Sequence, residues 1–296
     1  MKRLRVLINP IAGHGLAPTI AKLIDSSPLI GQYEVDTQTT EYAGHAAVLA
    51  EEAVRLNYAG VIAVGGDGTV NEIAARLVNT STALGIIPSG SGNGLARHLG
   101  YSLKFQTCLR QIAPAEIRKI DTLSINNHFG LNVSGLGFDG FVAWRFNQEG
   151  KRGLSNYTRI ALSEYFKYPS IRFQLRIDNK TISTDGHMLV IANASQFGNA
   201  AIIAPLAELN DGYMDIVTVR KPPLLQMPEL FYRLFNGSLK ESNYLKSYKC
   251  KSFQAVADRP VHLHVDGEAH SPISSIDVKI NPLSLLVFMP QNDLKI

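Results

Sequence analysis

Only two cysteines, Cys108 and Cys250, occur in 296 residues. Two cannot build a disulfide framework and they match no zinc spacing, so both read as reduced, partly buried thiols. No apolar run approaches the ~20 residues that span a bilayer. The opening MKRLRVLINP has a basic start, but Asn9-Pro10 ends its apolar run too soon for a signal peptide. A cytosolic protein is expected. Charged residues make up 18% of the chain against 45% apolar, which excludes a disordered, collagen-like or coiled-coil protein. Internal repeats, low-complexity tracts and long flexible linkers are also missing. At about 150 residues per domain the length suggests two domains, or one large one.

What is present is unevenly placed. Residues 1–140 carry 11 basic and 11 acidic groups, residues 181–296 carry 10 and 11, and residues 141–180 carry 8 and 3. The excess of positive charge therefore sits in one short window. Glycine is clustered as well: nine of the 24 glycines lie between Gly60 and Gly100. About three would be expected there from average usage. Backbone-only positions at that density suggest loops that a ligand approaches closely.

The first ~120 residues alternate strand and helix patterns, as a parallel α/β sheet requires. Strands are expected at 5–8, 33–40, 61–64 and 84–87, and helices at 18–24, 46–56, 70–78 and 95–99. Beyond about residue 120 short alternating runs take over. Asn126-Asn127 and Asp178-Asn179 read as hairpin turns. MDIVTV, HLHVDG, IDVKI and SLLVF read as further strands, and helical spacing returns at 138–168 and 224–234. The expected architecture is an α/β domain over 1–121, followed by a mostly antiparallel β domain with inserted helices over 122–288.

Three glycine loops end strands of the first half: NPIAGHG at 9–15, GGDGTVNE at 65–72 and PSGSGNG at 88–94. In an open α/β sheet, ligands bind at the carboxyl ends of the strands. Glycine loops let backbone N–H groups face phosphate oxygens, and a following helix N-terminus adds a favourable dipole. Together the loops point to a phosphate-rich ligand. No GxxxxGK[ST] is present, so a Walker-type loop is excluded. Gly13-His14-Gly15 meets Pro18 where a dinucleotide fingerprint needs its third glycine, and no HRD or DFG set marks a protein kinase. Asp67 sits inside a loop that would cradle anions. It implies an intervening Mg²⁺, or else an Asp that closes its own turn.

GGDGTVNE closely resembles the signature of the diacylglycerol kinase catalytic family, which includes bacterial lipid kinases, sphingosine kinases and ceramide kinases. The resemblance continues in order through Asn9-Pro10, Thr40 ahead of Gly44-His45-Ala46, PSGSGNGLAR, GLGFDG at 135–140, LNDGYMD at 209–215 and VDGE at 265–268. GGDGT alone is shared with NAD kinases and, distantly, phosphofructokinases; the combination is more specific. GSGNGLAR departs from the GTANDFA-like form of bacterial diacylglycerol kinases toward the GSGNALA form of sphingosine kinases. The lipid backbone, diacylglycerol-like or sphingoid, thus stays open.

The resemblance implies an ATP- and Mg²⁺-dependent kinase acting on a lipid hydroxyl, with an α/β nucleotide-binding domain over 1–121, to which residues about 289–296 return, and an antiparallel β-sandwich domain over 122–288. ATP would be held by Asn9, Pro10, Ile11, Ala12 and Gly13, by Thr40, by Gly65, Gly66, Asp67, Gly68, Thr69, Val70 and Asn71, and by Ser91, Gly92 and Asn93. Glu268 would take the proton from the lipid hydroxyl, with the second domain folding over the first. Asp67 is the rival for that role and the expected organiser of Mg²⁺ and phosphate. Asp139 is expected near the substrate headgroup. Asp266, taken to share a strand face with Glu268, would support the site. LNDGYMD resembles a second, structural metal site formed by the Asp211 carboxylate and the carbonyls of Glu208 and Tyr213; a plain Asp-Gly turn is the alternative. His262, His264 and His270 read as surface or core-edge histidines rather than zinc ligands.

In the basic window, Arg145, Lys151, Arg152, Arg159 and Lys167 mingle with Trp144, Phe146, Tyr157, Tyr165, Phe166 and Tyr168. A solvated helical face is one reading. With a lipid substrate, an interfacial segment resting on an anionic membrane is preferred, and a nucleic-acid partner is not expected. Two alternatives remain to the lipid kinase. One is a kinase of a soluble substrate such as NAD, and the other is an idle nucleotide- or lipid-binding module. The oligomeric state is open, a homodimer included.

Overall fold

The computed structural model describes residues 1–11, 17–149, 153–178 and 180–291, and the chain divides into two compact units. The first comprises Met1–Ile120 and the chain from Leu283 onward. It runs β1 (Lys2–Ile8), α1 (Ala17–Asp25), β2 (Tyr33–Thr39), α2 (His45–Arg55), β3 (Gly60–Gly65), α3 (Asp67–Leu77), β4 (Ala83–Pro88), α4 (Gly94–Leu99) and α5 (Phe105–Ile112). The strands pair in parallel in the order β2-β1-β3-β4. β3 and β4 are buried along their whole length, as the unbroken apolar runs VIAV and LGII require. Parallel strands start at one edge and end at the other. The loops after β1, β2, β3 and β4 therefore all emerge at the carboxyl edge.

Two differences from the expected elements matter. α3 begins at Asp67, three residues before Val70, so Asp67, Gly68 and Thr69 form the first helical turn. α5 was not anticipated, although Phe105, Cys108, Leu109 and Ile112 have i, i+3, i+4, i+7 spacing and the last three are buried.

The second unit, Asp121–Pro282, is antiparallel. The chain passes into it within β5 (Glu116–Ile125) and continues through β6 (His128–Gly130), β7 (Val133–Gly137), α6 (Phe138–Glu149), α7 (Leu154–Tyr165), β8 (Ile171–Ile177), β9 (Lys180–Gly186), β10 (Met188–Ala192) and β11 (Met214–Val219). A short 3-10 turn at Leu224–Gln226 leads to α8 (Met227–Phe235), β12 (Leu245–Cys250), β13 (Ser252–Val265) and β14 (Glu268–Met289). β14 is one strand where two, IDVKI and SLLVF, were expected. Its far end rejoins the first unit, where Val287 pairs with Leu84 of β4.

Strands β12-β11-β10-β7-β13 pair in that order, and β8 joins β13 to β9. Alternation sends Leu123, Leu136, Phe173, Ile191, Ile216 and Val278 into one core, and Val133, Val190, Ala192 and Val217 into another. Alternate residues of β7, β10 and β11 thus face different cores, one on each side of those strands. Asn126 has a φ of +50°, as the Asn-Asn hairpin between β5 and β6 requires. Asn179, in the second expected hairpin, lies outside the described residues. Among those residues, no helix is long and apolar enough to cross a membrane.

Candidate functional site

The glycine loops of the first unit are tied to one another. Gly65 accepts the N–H of Ser89 at 2.9 Å, and Asn9 donates through Nδ2 to Thr69 Oγ1 at 2.9 Å. Asn9 Oδ1 in turn accepts the N–H of Ile11 at 3.0 Å. Thr40 is buried, and its N–H reaches the carbonyl of Ile8. Glu72, to which no role was assigned, lies 3.4 Å from the N–H of Gly44 and links the loop after β2 to α3. At Gly90 a Cβ would stand 2.5 Å from the Cα of Gly66, so the second and third loops touch backbone to backbone.

Asp67 is the main tie. Its Oδ2 accepts the N–H of Asn93 and its Oδ1 the N–H of Gly94, both at 2.8 Å. The carboxylate joins the first turn of α3 to the start of α4, and it also interacts with its own backbone amide. Burial pushes its carboxyl above the usual range, and the amides of Gly94 and Asn93 pull it back. Asn93 is held in the left-handed region at φ +52° by Oδ1 accepting from Gly90 N–H at 3.0 Å and Nδ2 donating to Gly90 carbonyl at 2.7 Å. Arg97 Nε donates to the Gly92 carbonyl at 3.1 Å.

Gly68 is exposed in the first turn of α3, and among the described residues nothing lies within 4 Å of where its Cβ would be. Ser91 and Ile11 are exposed, Gly66, Asn71 and Gly92 are half-buried, and Thr69 and Val70 are buried beneath. The first amides of a helix have no intrahelical acceptor, so α3 presents donors and a positive dipole end on this side. Ala12 and Gly13 lie outside the described residues. A carboxylate oxygen has two acceptor directions, and each Asp67 oxygen uses one for an amide. One Asp67 carboxylate can therefore still serve a hydrated cation bound mainly by phosphate oxygens, as Mg²⁺ commonly is.

At the second expected metal position the Asp211 carboxylate is engaged within the chain. Asp211 accepts its own loop's Tyr213 N–H at 2.9 Å and pairs with the Lys249 ammonium at 2.5 Å. Lys249 stands across from Asp215 on β12, and the hydrogen bond to Asp211 holds its ammonium above the ordinary range. Gly212 N–H is taken by Asp121 Oδ2 at 2.7 Å. Glu208 and Tyr213 are exposed. Among the described residues no group of three or more His, Cys, Asp or Glu side chains could hold a metal.

Glu268 is exposed at the first position of β14, opposite Val265. Asp266 is not on a strand beside it. It occupies the hairpin turn at φ +50°, followed by Gly267 at +88°, and its carboxylate faces inward. There it accepts the N–H of Leu131 at 2.7 Å and of Asn132 at 2.9 Å. Asp266 thus anchors the turn. Asp139 is buried, with His264 Nε2 3.2 Å from Oδ2 and Gly140 N–H bonded to Oδ1 at 2.9 Å. His262 packs on Phe141 and Trp144, and His270 stacks on His128.

The basic window covers most of α6, all of α7, and β8 up to the start of β9, with Arg172, Arg176 and Lys180 on the strands. Arg159 pairs with Glu149, and Glu164 sits between Arg145 at 4.0 Å and Lys167 at 3.6 Å. Tyr165 is buried with Phe138, Val142 and Ile160, and Phe146, Tyr157 and Tyr168 pack against that cluster. Phe166 and Leu162 are exposed, as are Leu224 and Leu225 of the 3-10 turn. Lys151 and Arg152 lie outside the described residues. Most of the aromatics therefore serve the core.

A diacylglycerol kinase catalytic domain model matches residues 3–125, and the YegS C-terminal NAD kinase beta sandwich-like domain matches residues 132–289. A diacylglycerol kinase of Bacillus subtilis is 26% identical over 283 residues, covering 90% of both chains. One from Mycobacterium tuberculosis is 27% identical, covering 98% of this chain and 96% of that one. The crystal structure of a diacylglycerol kinase from Bacillus anthracis is similar in fold, with a TM-score of 0.79 over 98% of this chain and 97% of that one, at 18% identity. The two matched domains follow one another along nearly the whole chain, which therefore belongs to the diacylglycerol kinase catalytic-domain family of lipid kinases, in the form that carries a YegS-type β-sandwich.

Proposed function

We propose that the protein transfers the γ-phosphoryl group of ATP to the hydroxyl of a membrane lipid. The observation that carries this reading is the cluster of strand-ending loops at one sheet edge, in which Asp67 ties the start of α3 to the start of α4. Amides of α3 and the Gly66–Gly90 contact give phosphate oxygens a backbone surface on which glycine leaves room. The Asn9–Gly13 loop, Thr40 and Ser91 would complete the nucleotide site. Phosphoryl transfer depends chiefly on positioning and charge neutralisation. Mg²⁺ beside Asp67 would supply part of that neutralisation. The chain's own residues supply the rest: helix dipole, amides and a fixed phosphate orientation.

Glu268 is the base in this reading. It is an exposed carboxylate on a rigid two-residue turn and is free to meet a hydroxyl, whereas both oxygens of Asp67 are engaged by amides. Exposed Leu162, Phe166, Leu224 and Leu225, with Lys167 nearby in sequence, suit a peripheral contact with an anionic membrane.

The test is Glu268→Gln, assayed for transfer of radiolabel from ATP to lipid in mixed vesicles. General-base removal should lower turnover about 100-fold or more, with nucleotide affinity unchanged. Unchanged turnover would move the role to Asp67.

A further inference from the structure

The turn that presents Glu268 is anchored from behind by a buried pair outside the expected base chemistry. β7 runs directly into α6 because Gly137 takes a φ of +96°, which places Asp139 in the first helical turn. Space for its carboxylate is cleared by Gly135, where a Cβ would stand 2.0 Å from Asp139 Oδ2. Gly140 lets the helix approach β13, since a Cβ there would meet the His262 carbonyl at 2.2 Å. His264 lies across from Gly135 in the β13–β7 pairing and is buried. Its Nε2 faces Asp139 Oδ2 at 3.2 Å, and its Nδ1 accepts the N–H of Gly267 at 3.1 Å.

These two bonds fix the tautomer. Accepting the Gly267 N–H requires a lone pair on Nδ1, so the ring proton is on Nε2, where it points at the Asp139 carboxylate. The result is a directed chain from Asp139 through the imidazole to the Gly267 amide, one residue before Glu268.

We propose that Asp139 and His264 are positioning residues: the pair locks the Asp266–Gly267 turn and so sets the direction in which the Glu268 carboxylate is presented. The proposal rests on the reading of Glu268 as base, but the lock itself can be measured without it. His264→Asn keeps an acceptor near the Nδ1 position, while His264→Gln can still reach Asp139 but leaves Gly267 N–H without an acceptor.

Two readouts are needed. Hydrogen exchange at the Gly267 amide should be slow in wild type and His264→Asn, and faster by about tenfold or more in His264→Gln, tenfold being the loss of about 1.4 kcal/mol of protection. Lipid-kinase turnover should follow the same order, with KM for ATP unmoved in all three. Asp139→Asn combined with His264→Gln should be no worse than His264→Gln alone, because the two act as one unit. Exchange at Gly267 that is equal in all variants overturns the lock. Turnover that is equal in all variants, while Glu268→Gln is inactive, overturns the positioning role. If Glu268→Gln itself retains full turnover, the base reading fails, and the exchange data alone decide whether the pair holds the turn.

Discussion

Replacing Asp266 separates hydrogen bonding from backbone strain at the turn that carries Glu268. Its carboxylate receives two backbone amides, from Leu131 and Asn132, and its own N–H goes to Ser134 Oγ at 3.2 Å. Hydrogen bonds to a charged acceptor contribute about 1.5–3 kcal/mol each. Asp266→Asn keeps one acceptor but turns an NH₂ toward the second amide, a cost of about 2 kcal/mol. Asn also tolerates the left-handed conformation at φ +50°, so strain does not contribute. Asp266→Ala loses both bonds and adds about 1 kcal/mol of strain, about 4–7 kcal/mol in all. Asp266→Gly loses the same bonds without the strain and should fall about 1 kcal/mol short of Ala. At about 2–4 °C per kcal/mol for a unit of this size, Asn should lower the calorimetric midpoint by about 4–8 °C. The required order is wild type, Asn, Gly, Ala. An Asn variant within about 1 °C of wild type would refute the reasoning, since the two amides would then not need the carboxylate.

Three further outcomes are expected. His187 is buried against Phe138, Tyr165 and Tyr168 with neither ring nitrogen bonded, and burial, aided by Lys221, lowers its pKa to about 4. The unfolded chain therefore takes up the proton first. Stability is full above about pH 6.5 and declines toward pH 4 by about 3 kcal/mol, and denaturant titrations of His187→Phe should lack this decline. Gly68→Ala meets nothing within 4 Å among the described residues. Its melting temperature should match wild type while ATP affinity measured by calorimetry falls; unchanged affinity would remove the first turn of α3 from the nucleotide site. Burial raises the Cys108 and Cys250 thiols to about 12, so neither should react with a thiol reagent at neutral pH until the chain is denatured.

Apart from α5, the elements of the first unit were legible because glycine and unbroken apolar runs mark strand ends locally. α3 began earlier than expected because glycine at 68 depresses helix propensity, although a first turn tolerates it. The partners of the acidic residues were not legible. Asp67 bonds to amides 26 and 27 residues away, and amides leave no trace in a residue pattern. Asp139 meets His264 across 125 residues, a pairing set by the β13–β7 register. Asp266 and Glu268 would share a face on a continuous strand, but the positive φ of Asp266 and Gly267 turns the chain between them. The basic window was legible as charge and aromatic content. Which aromatics face inward was decided by how α6 and α7 pack, which composition alone does not fix.

The central claim is the chemical class of the acceptor. Purified protein given γ-labelled ATP and Mg²⁺ should be offered vesicles containing diacylglycerol, sphingoid base or ceramide and, separately, NAD. The account predicts label in the organic phase with at least one of the lipids and none on NAD. Label on NAD alone would contradict it.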